Sequence, residues 1–178
     1  MIELIDLCKK FRQVDAVRQL SLRVEPGEIF GFLGPNGAGK TTTIKMIAGT
    51  LQPTSGRIVI AGRDLSQEPE KAKMAVGFIP DRPFLYEKLT GWEFLQFMAG
   101  LYGVNGGRFA PRAAPLLELF ELYEWRDELV ESYSHGMKQR LIMSSALIHK
   151  PRVLVVDEPM VGLDPRGARL VTQIFRQL

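Results

Sequence analysis

Gly34-Pro35-Asn36-Gly37-Ala38-Gly39-Lys40-Thr41 follows an apolar run, Ile29-Phe30-Gly31-Phe32-Leu33, and leads into a segment, Thr41 to Ala48, with a helical pattern. The octapeptide fits GxxxxGK(S/T), a phosphate-binding loop pattern. Its flanks are those the pattern requires, with a buried strand expected before it and a helix after it. The glycines let the backbone turn tightly, so that successive N–H groups point inward at phosphate oxygens, aided by the positive end of the helix. Lys40 is placed to bridge the outer phosphates. The Thr41 hydroxyl stands where it completes a magnesium shell that is otherwise mostly water and phosphate oxygen.

A magnesium held in this way needs a carboxylate on its other side. Val153-Leu154-Val155-Val156 is a continuous apolar run of the kind that forms a parallel strand covered on both faces, and it ends in Asp157-Glu158. Ligand sites in such sheets lie at the carboxyl ends of the strands. Asp157 is therefore the expected metal-side acid. Glu158, one residue on, points differently and is the candidate to orient or deprotonate an attacking water.

At 178 residues the chain can bury one sizeable core, and an apolar content of 46% argues for a folded protein. A net charge of +3 is mild, and no Lys/Arg stripe interleaved with aromatics suggests nucleic acid. The single cysteine, Cys8, excludes an internal disulfide and reads as a small apolar filler. No apolar run is long enough to span a bilayer, so membrane association is expected to come through a partner.

Ile2 to Leu7 and Val17 to Val24 read as strands of antiparallel character, and Pro26-Gly27 turns the chain toward the phosphate loop. After the first helix come a break at Gln52 to Gly56, a short strand at Arg57 to Ala61, a short helix within Ser66 to Lys73, and a strand at Ala75 to Pro80. From Lys88 to Glu131 the apolar spacing is helical. This reads as an inserted helical subdomain, about 88–149, on a core of 1–87 and 150–178. The aromatics Trp92, Phe94, Phe97 and Tyr102 are its expected core, with docking to a partner as the alternative.

Between the insertion and the Asp157 strand lies Tyr133-Ser134-His135-Gly136-Met137-Lys138-Gln139-Arg140, which opens a helix that Pro151 stops. With the phosphate loop, the two acids and Val161-Gly162-Leu163-Asp164-Pro165, it resembles the nucleotide-binding domain of ABC (ATP-binding cassette) proteins over essentially the whole chain. The resemblance implies an α/β P-loop NTPase fold with a mainly parallel core sheet, N-terminal antiparallel strands and a helical insertion. It implies binding of ATP and Mg²⁺ by Gly34, Pro35, Asn36, Gly37, Ala38, Gly39, Lys40, Thr41 and Thr42. Phe11 stands where the family stacks an aromatic on adenine; a core phenylalanine at a strand end is the alternative. In the family, the Ser134–Gly136 position of one subunit caps the γ-phosphate held by the other. The physics agrees, since Ser134 can cap the helix and the N–H groups near Gly136 sit at a positive helix end.

Four departures from the family pattern stand out. Asp81 replaces a glutamine that touches magnesium and senses the membrane partner. Aspartate is shorter and charged, but can still face the metal, directly or through water. Tyr133, His135 and Met137 replace the commoner leucine, glycine and glutamine, as in exporter-type cassettes whose membrane subunit is a separate polypeptide; His135 is expected to be exposed. Val161 replaces a small serine. The chain stops before the strand and histidine that follow in the family, so it reads as a cassette lacking its C-terminal part, with apolar residues Leu170, Val171, Ile174, Phe175 and Leu178 left needing a cover.

The resemblance thus implies the ATPase subunit of a bacterial transporter, with Glu158, Lys40 and Asp81 catalytic and Thr41, Asp157 and Asp81 at the metal. It further implies a homodimer or heterodimer of such domains and a separate permease at the cytoplasmic face of the membrane. Two other readings stay open: a cassette that binds ATP without turnover, and a soluble non-transport ABC factor.

Overall fold

The computed structural model describes residues 1–81, 84–158 and 165–177. These form two compact units, one of residues 1–78 with 151–157 and one of 79–150 with 158–178.

The first unit is built on strands β1 (Ile2–Phe11) and β2 (Val14–Val24), a long antiparallel hairpin. β3 (Ser55–Ile60) pairs antiparallel with the other edge of β1, and the two-residue β4 (Arg63–Asp64) closes the order β2-β1-β3-β4. Helix α1 (Lys40–Ile47) packs against β2 and against β6 (Val153–Val156). β6 is hydrogen-bonded to β5 (Val76–Ile79). The N–H groups of Arg152 and Val153 both donate to Ala75 O, so the two strands start side by side, in parallel. Leu4, Leu7, Val17, Met46, Ile47, Ile58, Ile60, Val76, Val153 and Val155 form the core between these elements. Each such side chain contributes about 1.5–3 kcal/mol by leaving water. The short helix α2 (Pro69–Met74) precedes β5.

The second unit is helical. α3 (Gly91–Leu101) begins at a capping box: Thr90 Oγ1 accepts the Glu93 N–H while the Glu93 carboxylate accepts the Thr90 N–H. α4 (Ala110–Leu119) and α3 both pack on α5 (His135–Leu147), which is the centre of the unit. Gln139 and every residue from Leu141 to Leu147 are buried. A helix covered all round keeps its polar side chains only if they are satisfied, and Ser144 and Ser145 donate their hydroxyls to Arg140 O and Ile142 O. The unit also includes α6 (Pro165–Gln177).

Two sequence expectations are corrected here. Ile29–Leu33 is not a buried strand. It has no regular structure and forms no backbone hydrogen bond among the described residues, and Ile29 and Leu33 are 80% and 93% exposed. A strand needs a neighbour for its N–H and C=O groups. Among the described strands, β1 to β4 pair with one another and β6 with β5, which leaves this segment without one. Of the four expected core aromatics only Phe94 is fully buried, and Phe97 is exposed. On α6, Val171 and Ile174 are already buried and Leu170 is half-buried; the side chains of Phe175 and Leu178 lie outside the described residues.

Candidate functional site

The loop of residues 34–41 opens at the surface of the first unit and runs into α1. Gly39 caps the helix at φ 84°, a left-handed conformation that β-carbon-bearing residues resist, and a β-carbon there would collide with the Ala16 carbonyl oxygen of β2. Glycine is thus required twice, by conformation and by space. Ala38 N–H donates to Pro35 O at 3.2 Å, and Thr43 N–H and Oγ1 donate to Gly39 O at 2.8 and 2.9 Å. Thr43 is thereby spent on the helix start and is buried, whereas Thr41 is exposed at the mouth of the loop. Lys40 Nζ donates to Gly34 O at 2.6 Å and to Pro35 O at 2.8 Å, closing the loop on itself. Those carbonyls are neutral acceptors, and an anionic phosphate oxygen is a stronger one.

Asp157 follows β6 in the same unit. It is only 5% exposed, and among the described residues no side chain pairs with its carboxylate. A buried carboxylate without a counter-charge is costly unless a cation meets it. No group of three or more His, Cys, Asp or Glu side chains gathers among the described residues. A cation at Asp157 would then draw mainly on water and phosphate oxygens, which is the habit of magnesium and fits this donor set.

Phe11, at the end of β1, is 46% exposed, with Lys9 Nζ 5.0 Å from its ring centroid. It is not a core residue, and the Lys9 ammonium lies over one face of its ring. The first unit thus carries Phe11, residues 34–42 and Asp157, while Asp81, Ser134, Gly136 and Glu158 belong to the second. Asp81 is exposed. Glu158 is exposed and has φ 52°, a conformation uncommon outside glycine that Asp6, Arg12, Gln19, Ala61, Glu121 and Lys150 share. Residues 161–164 of the Val161–Pro165 segment lie outside the described residues.

Ser134 is the N-cap of α5, its Oγ accepting the Met137 N–H at 3.3 Å. Ser134 and His135 are exposed. A β-carbon added at Gly136 would meet nothing within 4 Å, so the chain's own packing does not demand glycine there. Tyr133 anchors the loop from below: it is buried and its hydroxyl donates to Trp125 O at 2.6 Å. Burial, helped by the charges of Asp127 and Glu128, pushes its phenol up to about 12.

Beside this loop lies a cleft of about 710 Å³, lined on one side by residues 84–89 and on the other by His135, Lys138 and Gln139 of α5. Phe84 at its rim is 77% exposed and meets Tyr86 edge-on, and Tyr86 meets exposed Phe97 in the same way. Glu87 and Lys138 face each other here, their side chains 2.6 Å apart. Sequence reading did not single them out as a pair, because partners 51 positions apart leave no local signal.

Comparison with known proteins identifies the family. Residues 17–161 match the family described as ABC transporter. The linearmycin resistance ATP-binding protein LnrL of Bacillus subtilis is 39% identical over all 178 residues, which span 57% of that relative's length. The solved structure of an ATP-binding subunit of an ABC transporter superposes with a TM-score of 0.91 at 33% identity, over 99% of this chain and 74% of that one. A dimeric, post-hydrolysis ATP-binding cassette bound to ADP and Pi gives 0.89 at 25% identity, over 100% of this chain and 82% of that one. With the lysine-closed glycine loop, the acid after β6 and the capped loop before α5 all present, the chain belongs to the ABC transporter family, as part of its ATP-binding cassette.

Proposed function

We propose that this chain binds Mg·ATP and hydrolyses it as the ATPase subunit of a transporter, driving export through a separate membrane subunit. What carries the reading is the 34–41 loop, a glycine turn closed on its own lysine at the head of a helix. On binding, Lys40 exchanges two neutral carbonyls for phosphate oxygens; charge-assisted contacts of this kind contribute about 1.5–3 kcal/mol each. Thr41 and Asp157 would hold the magnesium, with Asp81 as a further candidate ligand, and the ion would neutralise phosphate charge. Phe11 stacks on the base. Glu158 takes the proton of the attacking water. Ser134 and Gly136 of one copy cap the γ-phosphate held by residues 34–41 of a second, an arrangement supported by the dimeric ADP- and Pi-bound relative.

Export is proposed because one relative's name assigns that protein to linearmycin resistance. No helix among the described residues is long and apolar enough to cross a membrane. The exposed Phe84, Tyr86 and Phe97 are the proposed contact with the membrane subunit, at the cytoplasmic face. A second reading, nucleotide binding without turnover, draws support from Asp81 standing in place of glutamine.

Two substitutions test these readings. Lys40→Ala is expected to remove most affinity for Mg·ATP in a direct titration; unchanged binding would sink the assignment. Glu158→Gln is expected to bind normally and lose turnover. A wild-type protein no faster than Glu158→Gln would establish the second reading instead.

A further inference from the structure

We propose that Glu87 is a positioning residue that holds the Ser134–Gly136 loop in place by gripping the chain on both sides of it. This deepens the reading in which that loop caps a phosphate, and rests on it. The main-chain carbonyl of Glu87 accepts the N–H of Glu131 at 3.0 Å, just before the loop. Its carboxylate accepts Lys138 Nζ at 2.6 Å, just after the loop. One residue therefore spans the ends of the segment 132–137. Its neighbours reinforce the first grip, because Lys88 Nζ reaches the Glu131 carboxylate at 2.6 Å and Val130 N–H donates to Leu89 O at 2.9 Å.

The second grip has an electrostatic reason. Lys138 stands in the first turns of α5, near the positive end of the helix, and the first turn of α5 contains no acidic residue. A lysine there is repelled by the helix end unless an anion from elsewhere meets it. Glu87 supplies that anion, and the hydrogen bond from Lys138 holds its carboxyl below the usual range. An exposed pair of this kind adds little to global stability. Its effect is geometric: with the ammonium held by Glu87, neither the lysine nor the loop before it swings across the N–H groups around Gly136. Because Glu87 belongs to the stretch that carries Phe84 and Tyr86, a displacement of that stretch reaches both ends of the capping loop.

The experiment compares Glu87→Gln, Lys138→Met and the charge exchange E87K/K138E in the full-length protein, with Ser134→Ala as reference. ATP turnover, ADP affinity and thermal midpoint are measured for each. ADP has no γ-phosphate and reports the 34–41 loop without the capping loop. Each single variant is expected to lower kcat about fivefold or more, and the exchange to restore it to within about twofold, as for a directly coupled pair. ADP affinity and midpoint should stay at wild-type values. Wild-type turnover in Glu87→Gln, with Ser134→Ala impaired, would overturn the role of Glu87 alone. An exchange no better than the single variants, or turnover lost in step with ADP affinity or midpoint, would overturn it too. Wild-type turnover in Ser134→Ala would remove the capping reading and this proposal with it.

Discussion

Glycine serves two different purposes in the two loops. At Gly39 the backbone is left-handed and the β2 main chain presses on it, so the fold itself forbids a side chain. At Gly136 nothing among the described residues occupies the space a methyl would take. Gly136→Ala is therefore expected to keep or raise the thermal midpoint, since alanine is favoured over glycine within a helix by about 1 kcal/mol. The same variant should lose ATP turnover, because the methyl obstructs the approach of a phosphate. A melt together with a turnover assay checks both halves, and undiminished turnover would dissociate Gly136 from nucleotide capping. Residue types and spacing made both glycines visible in the sequence. Which of them the fold needs was not, because that depends on what lies within a few ångströms.

At the scale of elements, helical periodicity located α3 and α4, while α5 was bounded by its capping residue Ser134 and by Pro151. The aromatics of α3 are conspicuous in sequence, and amphipathic spacing assigns them to the core. The structure gives the centre to α5, where buried Leu141 and Met143 stand among satisfied serines, and leaves Phe97 at the surface beside Tyr86. A helix buried on every side shows no polar face, so its periodicity is weak and its sequence reads as unremarkable. Leu141→Ala is expected to cost about 2–5 kcal/mol through the cavity it opens. Phe97→Ala should cost under about 1 kcal/mol, the worth of an edge-on ring contact at the surface. Urea unfolding of the two variants distinguishes them, and equal losses would restore Phe97 to the core.

Across the whole molecule, the proposed binding residues fall into two sets, one in each compact unit, with Asp157 and Glu158 adjacent in sequence at a boundary between the units. The segment that feeds the 34–41 loop has large apolar side chains facing water and no backbone partner among the described residues. Hydrogen exchange should show it: amides of residues 29–33 are expected to exchange nearly unprotected, while those of β1 and β3 around Leu4 and Ile58 are the slowest. Slow exchange at 29–33 would mean that the run is paired as a strand after all.

The sequence by itself determined the family and marked the 34–41 loop, the acids after β6 and the loop before α5 as the candidate site. Each is a local pattern whose spacing meets the geometry of a phosphate or a helix end, and local patterns survive in one dimension. Only the tertiary structure decided that Ile29–Leu33 and the buried Asp157 carboxylate lack partners among the described residues, that Phe11 is half-exposed, and that Glu87 bridges Glu131 to Lys138. Pairing, burial and long-range ion pairs depend on which distant segments share a space, and the order of residues along a chain records an aptitude for such meetings without recording the meeting itself.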